Sequence, residues 1–397
     1  MKPTLPIALT ALVLAGSSGT AFAAGSAPPP VTQERQAGGC IAASKAVTSS
    51  APWTVTRLDL ARTQQLSTGR GITVAVVGSG VERGASKQLD GQVVDAPDIA
   101  GHGSAAKDCV GHGTVLAGLI AAKPAAGTGF VGIAPGAKIY SVAVTDSTGA
   151  TTPDAIAAGI DAAIAAHAQV IDVAVATPTA SAQLQTAVHN ATKAGSLVVA
   201  PATTDKQSQP SQVFPAAYPD VLSVAASGSD GVLPDSEEIG APVDLTAPGN
   251  GVIGVGPGGG EFTGNGPSFA TAYAAGAAAL VESYQGHLSP AELAHRLEAT
   301  AVHPGEPVPA PGAGYGELDP YAALTTLLPD ASGSSADHSL SAGSGRIAIS
   351  RPPAPAARNS ALGVAAASFA LVVLVALAAV IIPRGRRRSW RSGEPVV

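Results

Sequence analysis

Short runs of valine and isoleucine alternate along this chain with longer alanine-rich stretches. Residues 72–77, 138–143, 170–175 and 197–200 are apolar runs of strand length. Their β-branched content suits strands buried on both faces. Between them, residues 113–122, 153–167 and 181–194 have the length and composition of helices. Alternation of this kind predicts a parallel sheet covered by helices, over a domain spanning residues 53–328. No internal repeat interrupts it.

Two apolar stretches fall outside that alternation. Lys2 precedes an apolar run from Leu5 to Ala15, and a small-residue stretch ends in Ala21-Phe22-Ala23. This is the layout of a secretory signal peptide over residues 1–23, with an uncleaved anchor as the alternative. Residues 361–382 form a run of 22 without a charge, and at about 1.5 Å per residue a helix of that length crosses the hydrocarbon of a bilayer. Pro383 closes it, and Arg384, Arg386, Arg387, Arg388 and Arg391 follow. A buried core helix is the alternative, but the arginines favour a single-pass membrane helix with residues 383–397 as a cytoplasmic tail. The large domain then lies outside the cytoplasmic membrane. Residues 24–52 read as a Pro-, Ala- and Gly-rich arm, and residues 329–360 as a Ser/Gly/Pro-rich linker.

Composition adjusts this picture in three ways. At 397 residues, 46% hydrophobic and 13% charged, the chain has length for one large α/β domain with appendages. The net charge is −6 overall. Setting aside Lys2, the five tail arginines and Glu394 leaves 16 basic and 27 acidic side chains, a balance of −11. Such a domain is a poor partner for nucleic acid, whose phosphates require Lys and Arg. The two cysteines, Cys40 and Cys109, form a disulfide if the domain is exported. They close a loop of about 70 residues, worth roughly 4 kcal/mol at most. No spacing suggests a metal site, and no cofactor motif is present.

Three segments carry candidate chemistry: residues 74–81 (VAVVGSGV), 111–118 (GHGTVLAG) and 264–274 (GNGPSFATAYA). In this order they resemble the Asp, His and Ser motifs of the subtilisin-like serine proteases, the subtilases. The resemblance implies a subtilisin-like three-layer fold with a central, mostly parallel sheet flanked by helices. It implies His112 as the base and Ser268 as the nucleophile of acyl transfer, a reaction that also needs a carboxylate to hold the base's tautomer. Where the family carries that aspartate, this chain has Gly78. Asp90, Asp95, Asp98 and Asp108 are the nearby candidates for a displaced carboxylate.

Other departures point the same way. Residues 197–205 read LVVAPATTD, so Thr204 stands where the family's oxyanion-binding Asn is expected. Losing one such donor costs roughly 3–4 kcal/mol. Pro267 replaces the usual Thr before the nucleophile, which removes a backbone N–H and restricts Gly266. Residues 170–176 (VIDVAVA) lack the Ser-Leu-Gly run with which the family pairs a peptide.

The whole layout of signal, Cys-bearing arm, subtilase domain, Pro-rich linker, single membrane helix and basic tail is similar to that of the mycosins. These are membrane-anchored subtilases associated with type VII secretion. That resemblance implies a partner in the type VII membrane complex or among its protein substrates. Three readings stay open: a catalytically impaired pseudoprotease kept for docking, a working serine endopeptidase with substitute support for His112, and a surface binding protein that reuses the fold.

Overall fold

The computed structural model describes residues 27–31, 39–84, 86–99, 101, 106–146, 148–205, 212–303, 305 and 307–328. The chain divides into two compact units, Met1–Ala331 and Ser332–Val397, and the second lies wholly outside the described residues. So do the expected signal peptide, the linker, the apolar run 361–382 and the basic tail. Among the described residues no helix is long and apolar enough to cross a membrane.

The first elements are a two-residue strand β1 (Pro30–Val31) and two short helices, α1 (Trp53–Arg57) and α2 (Leu60–Leu66). Alternating elements follow: β2 (Thr73–Gly78), β3 (Val93–Asp98), α3 (His112–Ala121), β4 (Lys138–Ala143), α4 (Pro153–Ala165), β5 (Val170–Val173), α5 (Ala182–Lys193) and β6 (Leu197–Pro201). A strand-rich stretch comes next, with β7 (Thr203–Asp205), β8 (Val221–Ser227), β9 (Glu237–Ile239), β10 (Leu245–Pro248), β11 (Asn250–Val255) and β12 (Glu261–Asn265). Helices α6 (Pro267–Gln285), α7 (Pro290–Ala299) and α8 (Pro320–Thr325) complete the described chain.

Seven strands make the central sheet in the order β10-β8-β6-β5-β2-β4-β3, and every pairing in it is parallel. Each face is buried, as the Val/Ile-rich runs predict. On one face Val74, Val76, Val170 and Val199 join a core with α3 and α6. On the other, Ala75, Val77, Ile171 and Val198 pack with α4 and α5. The result is the helix–sheet–helix arrangement expected of a subtilisin-like α/β fold.

Local chemistry explains the helix starts. Thr152 accepts a hydrogen bond from Ala155 N ahead of Pro153 at the first position of α4, and Ser181 does the same for α5. α7 opens on a capping box between Ser289 and Glu292. Close packing of α4 on the sheet depends on Gly159, where a Cβ would lie 2.6 Å from Val144 and 2.8 Å from Val77.

The arm is docked, and its cysteine is bonded to Cys109. β1 pairs with β12, and Glu261 accepts from Thr48 N at 2.7 Å and Thr128 Oγ1 at 2.6 Å. Gly129 N also donates to the Thr48 carbonyl at 2.8 Å. These contacts bring the arm beside the start of α3.

Candidate active site

β2 and α3 build the first half of the site. β2 lies centrally in the sheet and ends at Gly78, and the carboxyl ends of parallel strands are where such folds place their chemistry. The turn after it grips α3. Ser79 Oγ accepts from Gly113 N at 2.9 Å, and Glu82 N donates to Thr114 Oγ1 at 3.0 Å. A Cβ on Gly113 would lie 2.1 Å from the Gly80 carbonyl, so only glycine permits this approach. His112 opens α3.

α6 supplies the second half. Gly266 precedes the helix with φ 131°, a conformation that favours glycine, and Pro267 takes the first helical position. Ser268 follows in the first turn. His112 Nε2 and Ser268 Oγ are 2.8 Å apart, and the edge of one ring meets the face of the other where His112 packs against Phe269 at 5.1 Å. Both members of the pair are buried, Ser268 at 0% and His112 at 2% exposure.

Burial lowers the His112 pKa to about 4, so the imidazole is neutral at pH 7. A neutral ring with its proton on Nδ1 accepts the serine proton through Nε2. Its basicity is poor for that task, because a general base works best with a pKa near the operating pH. Among the described residues, no hydrogen bond or ion pair joins Nδ1 to a carboxylate.

The structure accounts for the nearby carboxylates that the sequence left open. Asp108 is fully occupied in holding the start of α3: it accepts from Gly111 N at 2.8 Å, Thr114 N at 2.8 Å and Thr114 Oγ1 at 2.7 Å. Burial pushes its pKa up to about 6, against the hydrogen bonds from Thr114, Gly111 and Ser79 that oppose the shift. Asp98 accepts from Gly101 N and lies in β3, which β4 separates from β2. Asp95 is in the same edge strand. Asp90 is exposed beyond the 3₁₀ turn Lys87–Leu89.

Thr204 is half-buried in β7, paired with Glu238 of β9, and its neighbour Thr203 donates to the buried Glu237. The segment resembling the oxyanion loop is therefore a short antiparallel ladder here. Among the described residues there is no group of three or more His, Cys, Asp or Glu fit to hold a metal.

Sequence reasoning missed two features. Asp108 is a helix cap, and its signal was an Asp three residues before Gly111. Asp172 is a charge inside a Val/Ile run. It is fully buried in β5, and burial raises its pKa to about 7, with Thr271 opposing the shift.

Comparison with known proteins agrees with this geometry. A model of the subtilase family matches residues 69–324. Subtilisin NAT of Bacillus subtilis subsp. natto is 34% identical over 249 residues, which cover 60% of this chain and 62% of that protein. The chain thus spans about 62% of the length of that relative. MycP1 from Mycobacterium smegmatis superposes with a TM-score of 0.66 at 28% identity, covering 76% of this chain and 92% of that one. A chain of the periplasmic assembly from the ESX-5 inner membrane complex gives a TM-score of 0.66 at 26% identity, covering 83% and 97%. With strands, helices and the His112–Ser268 pair arranged as the motifs require, the chain belongs to the subtilase family and is built like the mycosins.

Proposed function

We propose that this protein is a membrane-anchored, mycosin-like component of a type VII secretion assembly, with a catalytically impaired serine–histidine dyad in place of a triad. The observation that carries the impairment is the pairing of His112 with Ser268 while no hydrogen bond or ion pair among the described residues joins the ring to a carboxylate, in a chain with Gly78 at the position of the family's aspartate. Left without that charge and buried, the ring is a weak base. Thr204 and Pro267 weaken the site further in this reading. Secretion as the setting is supported by the likeness to a chain of the ESX-5 periplasmic assembly. The apolar run and arginine cluster after residue 360 support anchoring.

A second reading, a slow serine endopeptidase using His112 and Ser268, is favoured by the 2.8 Å separation of the two side chains. A fluorophosphonate probe on the full-length chain separates the two. Negligible labelling, equal to that of Ser268→Ala, supports the impaired dyad. Labelling of the wild type that Ser268→Ala abolishes supports the peptidase. Copurification with a membrane export ATPase tests the secretion role, and its consistent failure under mild solubilisation argues against docking.

A further inference from the structure

A cavity of about 530 Å³ opens at the rim of the sheet away from the dyad. Its lining includes Leu197 and Val221, the first residues of β6 and β8, and Asp244, which directly precedes β10. These strands run parallel to one another. The cavity therefore sits at their amino ends, the opposite rim from Gly78, the last residue of β2. Helix α7 forms one wall through Ala291, Ala294, His295 and Glu298. Leu197, Ala217, Pro219 and Leu222 make much of the rest apolar. Pro219, Asp220, Ala291 and His295 are exposed, which places the mouth at the protein surface.

Two carboxyls line this apolar space without a counter-ion. Asp244 is held on one side, where Oδ2 accepts from Ser223 N at 2.8 Å and lies 2.8 Å from Ser223 Oγ. Its Oδ1 makes no hydrogen bond among the described residues. Glu298, in the last turn of α7, has neither a hydrogen bond nor an ion pair among the described residues. Burial and the neighbouring charge of Asp244 raise its pKa to about 7. Burial also raises that of Asp244, against the Ser223 hydrogen bonds. Two half-buried acids that repel each other are costly to leave unpaired.

The charged groups nearby are engaged elsewhere or stand outside the lining. Arg296 donates to the carbonyls of Ala323 and Thr326, both at 3.0 Å. His189 of α5 lies 3.5 Å from Asp220, and Glu292 of α7 accepts from Ser289. Lys193 of α5 is exposed and outside the lining. Among the described residues no lysine or arginine lines the cavity.

We propose that this cavity is a docking pocket for an arginine side chain presented by a partner protein. Arginine combines an apolar stem with a permanently charged, planar head of five N–H donors. The stem matches the alanine, leucine and proline walls. The forked head bridges Asp244 Oδ1 and Glu298 and removes the repulsion between them. No group of three or more His, Cys, Asp or Glu among the described residues is fit to hold a metal, so the paired acids suit an organic cation. The open mouth and the acidic balance of the domain favour a basic protein surface as its source. This deepens the docking reading above, on which it rests for the presence of a protein partner, and it does not involve the dyad.

His295 lines the mouth, so its ring reports occupancy by NMR in the full-length chain labelled with ¹⁵N-histidine, its signal assigned by loss in His295→Gln. The titration is run at pH 8, where Glu298 is ionised. The probe is N-acetyl-arginine methylamide, which carries the side chain as a protein does. Its citrulline counterpart has nearly the same shape without the charge, and agmatine is a free small cation. The arginine probe should shift the His295 signal saturably, and the citrulline probe should not. Glu298→Gln and Asp244→Asn should each weaken binding about tenfold. Ala294→Arg places the chain's own guanidinium one helical turn from Glu298 on the same face and should abolish binding. The proposal is overturned if the arginine probe gives no saturable shift, if citrulline binds equally well, or if Glu298→Gln or Ala294→Arg binds as the wild type does. Agmatine binding tighter by about tenfold or more would make the cavity a small-molecule site and also overturn it. Should Asp244→Asn not fold, Glu298→Gln and Ala294→Arg decide. The readout involves neither an export ATPase nor Ser268, so failure here is separable from failure of the secretion reading.

Discussion

A Cβ built on Gly78 makes one ordinary contact, with Ala174, and the residue ends a regular strand. Restoring a carboxylate there therefore meets little steric resistance at the first side-chain atom. In subtilisin, loss of the equivalent aspartate costs about 3 × 10⁴ in kcat. Gly78→Asp should raise the fluorophosphonate labelling rate by about a hundredfold, less than full recovery because Thr204 and Pro267 remain. No increase would show that the altered oxyanion segment, and not the missing charge, limits the site. Asp172 makes a prediction about pH. Its folded pKa, about 7, exceeds the unfolded value of about 3.9, so its contribution to stability is fully present below the unfolded value and is lost as pH rises through the folded one. Asp172→Asn should raise Tm relative to wild type at pH 8 and bring little or no gain at pH 4. A Tm difference independent of pH would refute the assignment.

The start of α3 shows how an element holds the site. Its N-cap position is Gly111, in the left-handed region and without a capping side chain, so Asp108 supplies the acceptors from outside the helix. Asp108→Ala leaves these N–H groups buried and unsatisfied. It should cost about 2–4 kcal/mol in denaturant unfolding, and it should broaden the His112 NMR signal as the first turn frays. The strands around the site were largely legible beforehand. The Val/Ile runs at 72–77, 138–143, 170–175 and 197–200 became β2, β4, β5 and β6 with shifts of at most two residues, because buried parallel strands leave a continuous apolar signature. β3 was not legible, since an edge strand containing Asp95, Pro97 and Asp98 carries no such signature. Helix α3 begins at His112, one residue before the composition suggested.

On the scale of the molecule, the Cys40–Cys109 bond ties the arm to the segment that leads into His112. The hydrogen bond from Ile41 N to the Cys109 carbonyl, 2.9 Å, runs beside it. Replacing both cysteines by serine should lower stability by about 3–4 kcal/mol for a loop of this size. Limited proteolysis should then cut first within residues 39–52. Unchanged protease resistance would show that β1 and the Glu261 contacts hold the arm unaided.

The sequence by itself determined the family, the absence of a carboxylate at position 78 and the single possible cysteine pairing. These are properties of local motifs and of counts. Tertiary structure alone decided what the other acids do. Asp108, four residues before His112, caps its helix. Asp98 is isolated behind β4. Asp172, 60 positions away in the chain, lies buried in β5, in register with Val76 of β2. A carboxylate acts over a few ångströms, and which segments come that close is set by strand order and register, neither of which a motif contains.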